Sequence, residues 1–257
     1  MSWLSFHIQN AILSIIGRFI GSPISYSKYY KLNSKLKNSL KLPIPGTWLE
    51  LDWIPVHPWN KYETFEEDHL LNAFRRQTLI QEVIEVEHKK ILGDFVEFGV
   101  YKGFSANLML SYSPTNRNYV GFDTFEGLSQ PMENVDGTHW VKGDLAFSNT
   151  AALTKLDEFK SRVKLIKGEI PEVFTAFRNV DMKFSLVHID LDLYEPTKSA
   201  VLFAWERLSA GGSLICDDYG FSTCPGATIA IDEFLLDRSD FQAFKSVTGG
   251  IVVRKNG

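Results

Sequence analysis

The stretch that decides the fold is VHIDLDLYEPT, residues 187–197. It begins as an apolar run of the kind that forms a strand buried on both faces of a parallel sheet. It then places Asp190 and Asp192 two residues apart, with Glu195 close behind. In open α/β sheets, ligands bind beyond the carboxyl ends of the strands. We therefore interpret this stretch as a core strand that ends at the floor of a site.

Strands and helices alternate on both sides of this stretch. A long helix over 66–92 has an acidic start and a basic end, as the helix dipole favours, and Gly93 follows it as a C-cap. This alternation predicts an α/β fold with a mostly parallel sheet covered by helices, closed by an antiparallel C-terminal hairpin. The predicted strands are 94–101, 118–125, 163–168, 184–192 and 212–220, and the hairpin is 241–248 with 250–255.

The composition is that of a soluble globular protein. The 257 residues are 44% hydrophobic with a net charge of −4, which gives no reason to expect nucleic acid as a partner. The cysteines, Cys216 and Cys224, follow no disulfide or zinc-ligand spacing and fit a reducing compartment, so we expect a cytoplasmic protein.

The N-terminal arm, residues 1–64, differs from the rest of the chain. Residues 1–49 have six basic residues and no acidic one, a charge of +6, whereas residues 50–257 have 21 basic against 31 acidic residues, a charge of −10. Apolar residues recur at helical spacing over residues 4–20. Three interpretations stay open: packing on its own domain or a partner subunit, contact with a membrane surface, or a lid over the acceptor. We expect residues 65–257 to form the main domain.

A glycine loop follows the first predicted strand, in EFGVYKGFS, residues 97–105. Gly99 and Gly103 let the backbone approach a ligand, but their spacing is not that of a dinucleotide-binding loop. Glu97 suits a cationic amino group, and Asp123 lies where an acid accepts hydrogen bonds from a ribose. These features describe S-adenosylmethionine better than NAD. The alternative is that the glycines only form turns and that Asp123 caps a helix.

Four carboxylates are expected at one edge of the sheet. Asp217 and Asp218 follow the fifth strand, as Asp190 and Asp192 follow the fourth. Such a group repels itself unless protons or a cation neutralise it, and oxygen ligands favour Mg²⁺. A metal there lowers the pKa of a substrate hydroxyl while a spare carboxylate accepts the proton. The alternative is that Asp190 and Asp217 cap the following helices.

Five motifs in order make the chain resemble the macrocin O-methyltransferase family over roughly residues 65–240. They are GDFVEFGVYKGFSA, GFDTFEGL, VHIDLDLYEPTKSA, RLSAGGSLICDDYG and CPGATIAIDEFL. The resemblance implies a class I, Rossmann-like methyltransferase with a seven-stranded sheet and a homodimer. It also implies dependence on S-adenosylmethionine and Mg²⁺, and methylation of sugar hydroxyls.

The resemblance also implies roles for individual residues. Asp190, Asp217 and Asp218 are expected to hold the metal, Asp192 to act as the general base, and Asp190 and Asp192 to be able to exchange roles. Residues expected near the cofactor are Glu97, Gly99, Tyr101, Gly103 and Ser105 at the methionine end, Asp123 at the ribose, Gly168 and Glu169 at the adenine, and Asp190.

The segment MENVDGTHWVKGD, residues 132–144, is expected to be a lid in which His139 and Trp140 contact the acceptor. His139 is also a candidate second base.

Together these features predict a metal-dependent O-methyltransferase acting on a sugar hydroxyl of a glycoside, natural product or surface polysaccharide. One alternative is a catechol or phenol O-methyltransferase, which shares the fold and a similar metal site. The other is a non-catalytic scaffold that binds S-adenosylmethionine.

Overall fold

The computed structural model describes residues 73–113, 117–245 and 250–257. The predicted arm, the start of the helix predicted over 66–92 and most of the hairpin turn therefore lie outside the described residues. The helices are α1 (Ala73–His88), α2 (Phe104–Tyr112), α3 (Glu133–Asp136), α4 (Asn149–Lys155), α5 (Tyr194–Arg207) and α6 (Pro225–Leu236), with 3₁₀ turns at Asp157–Arg162 and Glu172–Phe177. None of the helices in this part of the chain has the length and apolar character needed to cross a bilayer.

Seven strands of the described residues form one sheet. They are β1 (Asp94–Phe98), β2 (Tyr119–Asp123), β3 (Val163–Lys167), β4 (Phe184–Ile189), β5 (Leu208–Cys216), β6 (Phe241–Lys245) and β7 (Ile251–Lys255). Their order is β3-β2-β1-β4-β5-β7-β6, and β7 runs antiparallel to both of its neighbours. The predicted α/β fold with a reversed terminal hairpin is confirmed. In this order β2 and β3 lie on one side of β1, and β4 lies on its other side. The boundary between β1 and β4 is therefore the switch point at which such sheets bind ligands.

The centre of the sheet is apolar because helices cover both of its faces. Every residue of β4 is buried. Phe98 of β1 stacks on Phe122 of β2 with ring centroids 5.3 Å apart, and Phe174 stacks on Phe203 at 4.1 Å. Buried aromatic pairs of this kind contribute both area and preferred geometry, so they hold the strands in one arrangement.

Several strands end earlier than the sequence pattern predicts. The strand predicted over 94–101 ends at Phe98, and the one predicted over 184–192 ends at Ile189. The backbone turns immediately afterwards, with φ of +88° at Gly99 and +60° at Asp192. Left-handed residues cannot continue an extended strand, so the glycine loop and the acidic turn begin where the sheet stops.

The register of the central strands aligns their ends. Phe98 lies beside Phe122 and Ile189, and Ile189 lies beside Cys216. The ladders continue by one more backbone hydrogen bond each. The N–H groups of Gly99, Asp190 and Asp217 donate to the carbonyls of Phe122, Phe98 and Ile189, respectively, each at 2.9 Å. Asp123, Gly99, Asp190 and Asp217 therefore lie in a row along the carboxyl edge.

Gly99 is where the glycine loop crosses the end of β4. A Cβ atom at this position would lie 1.8 Å from the carbonyl oxygen of Asp190. Neither atom can move without breaking the ladder between β1 and β4. The close approach of these two segments therefore requires a residue without a side chain.

We expect Gly99→Ala to destabilise the protein far more than Gly143→Ala. Both glycines have φ of +88°, but a Cβ at Gly143 meets nothing within 4 Å. Gly143→Ala should cost about 1–2 kcal/mol, the strain of a left-handed alanine. Gly99→Ala should add about 1–3 kcal/mol or more, as overpacking does. Urea unfolding of the two variants measures the difference, and equal losses of unfolding free energy would contradict it.

Candidate active site

A tight turn beyond β4 holds the acidic site together. The Oδ2 atom of Asp218 accepts hydrogen bonds from the backbone N–H groups of Leu191 and Asp192, at 3.0 and 2.9 Å. Asp192 has the left-handed backbone that aspartate tolerates better than most residues, and both carboxylates are buried. The carboxylate of Asp218 thus fixes the turn that positions the carboxylate of Asp192.

Cys224 completes this group, although the sequence indicated only a loop thiol. One oxygen each of Asp192 and Asp218 and the Sγ atom of Cys224 all lie within 4.8 Å of one another. The thiol donates to Asp192 Oδ1 at 3.2 Å. Burial, reinforced by the charges of Asp218 and Asp192, raises the pKa of the Cys224 thiol. The thiol is therefore protonated and acts as a hydrogen-bond donor.

The carboxylates of the site repel one another. Burial, followed by the charge of Asp190, raises the pKa of Asp192 to about 7. Burial, followed by the charges of Asp192 and Asp190, raises the pKa of Asp218. The site favours protonation because it lacks enough positive charge for all its carboxylates, and a bound cation would supply that charge.

Arg75 of α1 is a member of this site that the sequence did not indicate. Its guanidinium forms an ion pair with Asp217 and lies 3.8 Å from Asp190. The ring of Phe221 lies beneath it, 5.2 Å from the guanidinium carbon. Nothing in the local pattern of a long polar helix distinguishes Arg75 from its neighbour Arg76. Only the packing of α1 reveals its role.

The donor set suits a hard divalent cation, because Asp192 and Asp218 bring carboxylate oxygens together in a buried place where Arg75 alone does not balance the charge of the carboxylates. The predicted ligand set of Asp190, Asp217 and Asp218 stays a prediction, and the structure gives its members unequal surroundings. Asp217 is engaged by Arg75, and the side chain of Asp190 is 35% exposed. The geometry therefore favours the exchanged division, with Asp192 beside Asp218 as a ligand and Asp190 as the accessible carboxylate.

The glycine loop is held by Asp123. Its Oδ2 atom accepts from the backbone N–H groups of Val100 and Tyr101, at 2.7 and 2.8 Å, and its Oδ1 atom accepts from that of Phe125 at 2.6 Å. A carboxylate has about four acceptor positions, so one is left for a ribose hydroxyl. The predicted ribose contact stays a prediction, and the structure adds a second task for the same side chain.

Glu97 lies beneath the loop with no exposed surface. It accepts a hydrogen bond from the hydroxyl of Tyr119, and its Oε1 atom lies 2.8 Å from Nδ1 of His188. A Cβ atom at Gly121 would lie 2.8 Å from the Tyr119 hydroxyl, so the glycine makes room for this network. Glu97 therefore joins β2, β1 and β4. Its predicted place at the methionine end is untested, and this geometry favours a supporting role.

The other predicted cofactor residues follow the ends of β1 to β3. Tyr101 has φ of +47°, and its ring meets that of Phe147 edge-on at 5.4 Å. Gly103 is the left-handed N-cap of α2, whose first turn buries Ser105. Gly168 donates its backbone N–H to the carbonyl of Asp123, and Glu169 is exposed. The fold thus places these residues around one end of the sheet, as predicted, while their contacts with a cofactor remain predictions.

Asp136 anchors the segment predicted to be a lid. Its buried carboxylate accepts from the backbone N–H of Met132 at 2.8 Å and from that of Tyr194, the first residue of α5, at 2.7 Å. A Cβ atom at Gly226 of α6 would lie 1.9 Å from the Oδ1 atom of Asp136. These contacts favour a fixed wall over a loose lid. The sequence did not single out Asp136, because any surface loop has acidic residues.

Backbone hydrogen bonds also close the base of this segment. Leu128 donates to the carbonyl of Asp144 at 2.8 Å, and Gly143 donates to that of Leu128 at 2.9 Å. His139 is exposed and meets the ring of Trp140 edge-on at 4.6 Å. Its predicted roles as acceptor contact and second base remain untested.

Comparison with known proteins identifies the family. The family model described as macrocin O-methyltransferase (TylF) matches residues 69–246. The chain belongs to the macrocin O-methyltransferase family. The predicted family, the class I fold and the enzyme class that the family defines are confirmed.

Individual members of this family, and one solved structure, resemble the chain more distantly. It is 25% identical over 173 residues to the 8-demethyl-8-(2,3-dimethoxy-alpha-L-rhamnosyl)-tetracenomycin-C 4'-O-methyltransferase of Streptomyces olivaceus, covering 62% of this chain and 66% of that one. It is 26% identical over 182 residues to the demethyldecarbamoylnovobiocin O-methyltransferase of Streptomyces niveus, covering 65% and 67%. The chain thus spans about two thirds of the length of these relatives. The O-methyltransferase NovP has the same fold, with a TM-score of 0.63 at 23% identity, covering 72% of this chain and 81% of that one.

We expect Asp136→Ala to lower the free energy of unfolding by about 2–4 kcal/mol, because two backbone donors lose a charged acceptor in a buried place. Asp144→Ala is the matched control, since the side chain of Asp144 accepts one hydrogen bond, from the backbone N–H of Val141 at an exposed position. It should cost less than about 1 kcal/mol. Urea unfolding measures both, and limited proteolysis should cut residues 127–144 faster only in Asp136→Ala. Equal effects of the two substitutions would refute the anchor.

Proposed function

We propose that this chain is an S-adenosylmethionine-dependent O-methyltransferase that uses a divalent cation, Mg²⁺ in the cell, to methylate a sugar hydroxyl. The observation that carries the proposal is the row of strand ends that brings the glycine loop at Gly99 beside the carboxylates of Asp190 and Asp217. The methyl group of the donor and the deprotonated hydroxyl must lie in line for transfer. At this edge of the sheet a candidate donor loop lies next to candidate acid–base groups.

The sugar acceptor is supported by the relatives. The Streptomyces olivaceus protein is named for methylation of a rhamnosylated tetracenomycin at a 4'-oxygen. We propose that this chain likewise acts on a glycoside, a glycosylated natural product or a surface polysaccharide. Its predicted homodimer, cytoplasmic location and peripheral membrane contact through the arm complete the proposal.

In the proposed reaction the partly exposed carboxylate of Asp190 accepts the proton of the acceptor hydroxyl. The acceptor oxygen forms a bond to the methyl carbon as the carbon–sulfur bond of S-adenosylmethionine breaks. A cation held by Asp192 and Asp218 would supply positive charge that lowers the pKa of the hydroxyl. Asp218 also accepts one hydrogen bond each from the backbone N–H groups of Leu191 and Asp192, so this part of the site is shaped before any ligand arrives.

The division of roles predicts different losses in Asp190→Asn and Asp192→Asn. Asp190→Asn should retain Mn²⁺ binding and lose methyl transfer by about 10²–10⁴-fold, the usual contribution of a general base. Asp192→Asn should lose both Mn²⁺ binding and methyl transfer. Mn²⁺ affinity from electron paramagnetic resonance and transfer from mass spectrometry measure the two properties. Normal Mn²⁺ binding in Asp192→Asn, with loss in Asp190→Asn, would restore the division predicted from the sequence.

Calorimetric titration tests the function as a whole. S-adenosylhomocysteine should bind with and without Mg²⁺, and a pooled set of glycosides and nucleotide sugars should then give heat only with Mg²⁺. Methyl transfer to a catechol but to no glycoside would instead favour the phenol-type enzyme. Cofactor binding without transfer to any acceptor would favour the scaffold, and an absence of cofactor binding would refute the proposal.

A further inference from the structure

We propose that Arg75 is the resident counter-ion of the carboxylate cluster and that it competes with the divalent cation for this site. The inference rests on the proposed metal site and goes beyond it, because it assigns to α1 control over how tightly the metal binds. Arg75 is a positioning residue in this scheme and takes no part in methyl transfer.

The contacts show that the pairing with Asp217 is built into the fold. Both side chains are largely buried, with 11% of Arg75 and 4% of Asp217 exposed. The Oδ2 atom of Asp217 accepts no hydrogen bond from the rest of the described residues. A buried carboxylate without a countercharge is costly, and the guanidinium supplies that countercharge to Asp217 in the metal-free protein.

A second contact fixes the place of Arg75 along the sheet. Seven residues later on α1, Glu82 is buried, accepts from the hydroxyl of Ser213 at 2.6 Å, and pairs with Arg254 of β7 at 2.7 Å. Positions seven apart lie on one face of a helix. Ser213 lies within β5 and Asp217 directly follows this strand, so α1 runs along β5 in the opposite direction. Glu82 contacts the strand itself, and Arg75 contacts the residue beyond its end.

The reach of the Arg75 charge covers the whole cluster. Its guanidinium is 3.8 Å from Asp190, and its charge opposes the rise in pKa of Asp192 and of Asp218. A divalent cation held by Asp192 and Asp218 would be repelled by the positive charge of this guanidinium. The cation and Arg75 therefore both supply positive charge to this cluster, and the presence of one weakens the binding of the other.

The test is the Mn²⁺ affinity of Arg75→Gln compared with the wild type. Removal of the competing charge should tighten Mn²⁺ binding by about tenfold, which corresponds to about 1.4 kcal/mol. Arg75→Lys keeps the charge and should bind nearly as weakly as the wild type. Arg76→Gln removes the same charge from the adjacent position of α1 and should leave the affinity unchanged. All four proteins are titrated as full-length chains.

Thermal unfolding supplies a readout that needs no catalysis. In EDTA, Arg75→Gln should melt below the wild type because the cluster has lost its counter-ion, and saturating Mn²⁺ should close most of that gap. Arg75→Lys, which retains the charge, serves where Arg75→Gln is too unstable to titrate, and its melting point in EDTA should lie close to that of the wild type.

The outcomes separate this inference from the proposed function. Unchanged or weaker Mn²⁺ binding in Arg75→Gln, with binding abolished in Asp218→Asn, would overturn the competition and leave the metal site standing. An absence of Mn²⁺ binding in both the wild type and Arg75→Gln would overturn both, because Arg75 would then be a permanent counter-ion. Equally tighter Mn²⁺ binding in Arg76→Gln would also overturn the competition by Arg75, since the net charge of α1 and not the position of Arg75 would then set the affinity.

Discussion

The site depends on the register of four parallel strands. Because β2, β1, β4 and β5 end level with one another, the residues that follow them form a row in which a loop and two acidic turns are neighbours. A one-residue slip between β1 and β4 would reverse the faces of the strand and separate this row. Gly99 permits the alignment by its close approach to Asp190, and Glu97 reinforces it through Tyr119 and His188.

Burial of several carboxylates at one edge has an electrostatic cost that the fold offsets in different ways. Backbone N–H groups donate to Asp218 and to Asp123, a thiol donates to Asp192, and a guanidinium pairs with Asp217. Each donor comes from a separate element, so the acidic edge is stabilised by tertiary structure and not by its own sequence. The carboxylates that remain undercompensated are those suited to a cation or to proton transfer.

The sequence predicted the features that depend on local pattern. Apolar runs separated by segments of helical period indicated an α/β fold with a mostly parallel sheet. Acids placed just after such runs indicated the edge of the sheet where Asp190 and Asp217 lie. It could not reveal partners that meet only through packing. Arg75 lies more than a hundred residues before the acids it contacts, Cys224 resembles any loop thiol, and Asp136 gains its role from a glycine on another helix. It also could not divide the roles of Asp190 and Asp192, because two carboxylates two residues apart differ only in burial, which a left-handed turn decides.

The anchoring of Asp136 against Gly226 bears on how acceptor preference can change during evolution. Gly226 lies two residues after Cys224, which touches Asp192, so a substitution that dislodges Asp136 would disturb the acidic site as well. The segment also offers Glu133, Asn134 and His139, which are exposed and hold no part of that anchor. In the proposed enzyme, a change of acceptor would therefore come from substitutions at these exposed positions. Asp136 and Gly226 would be retained together.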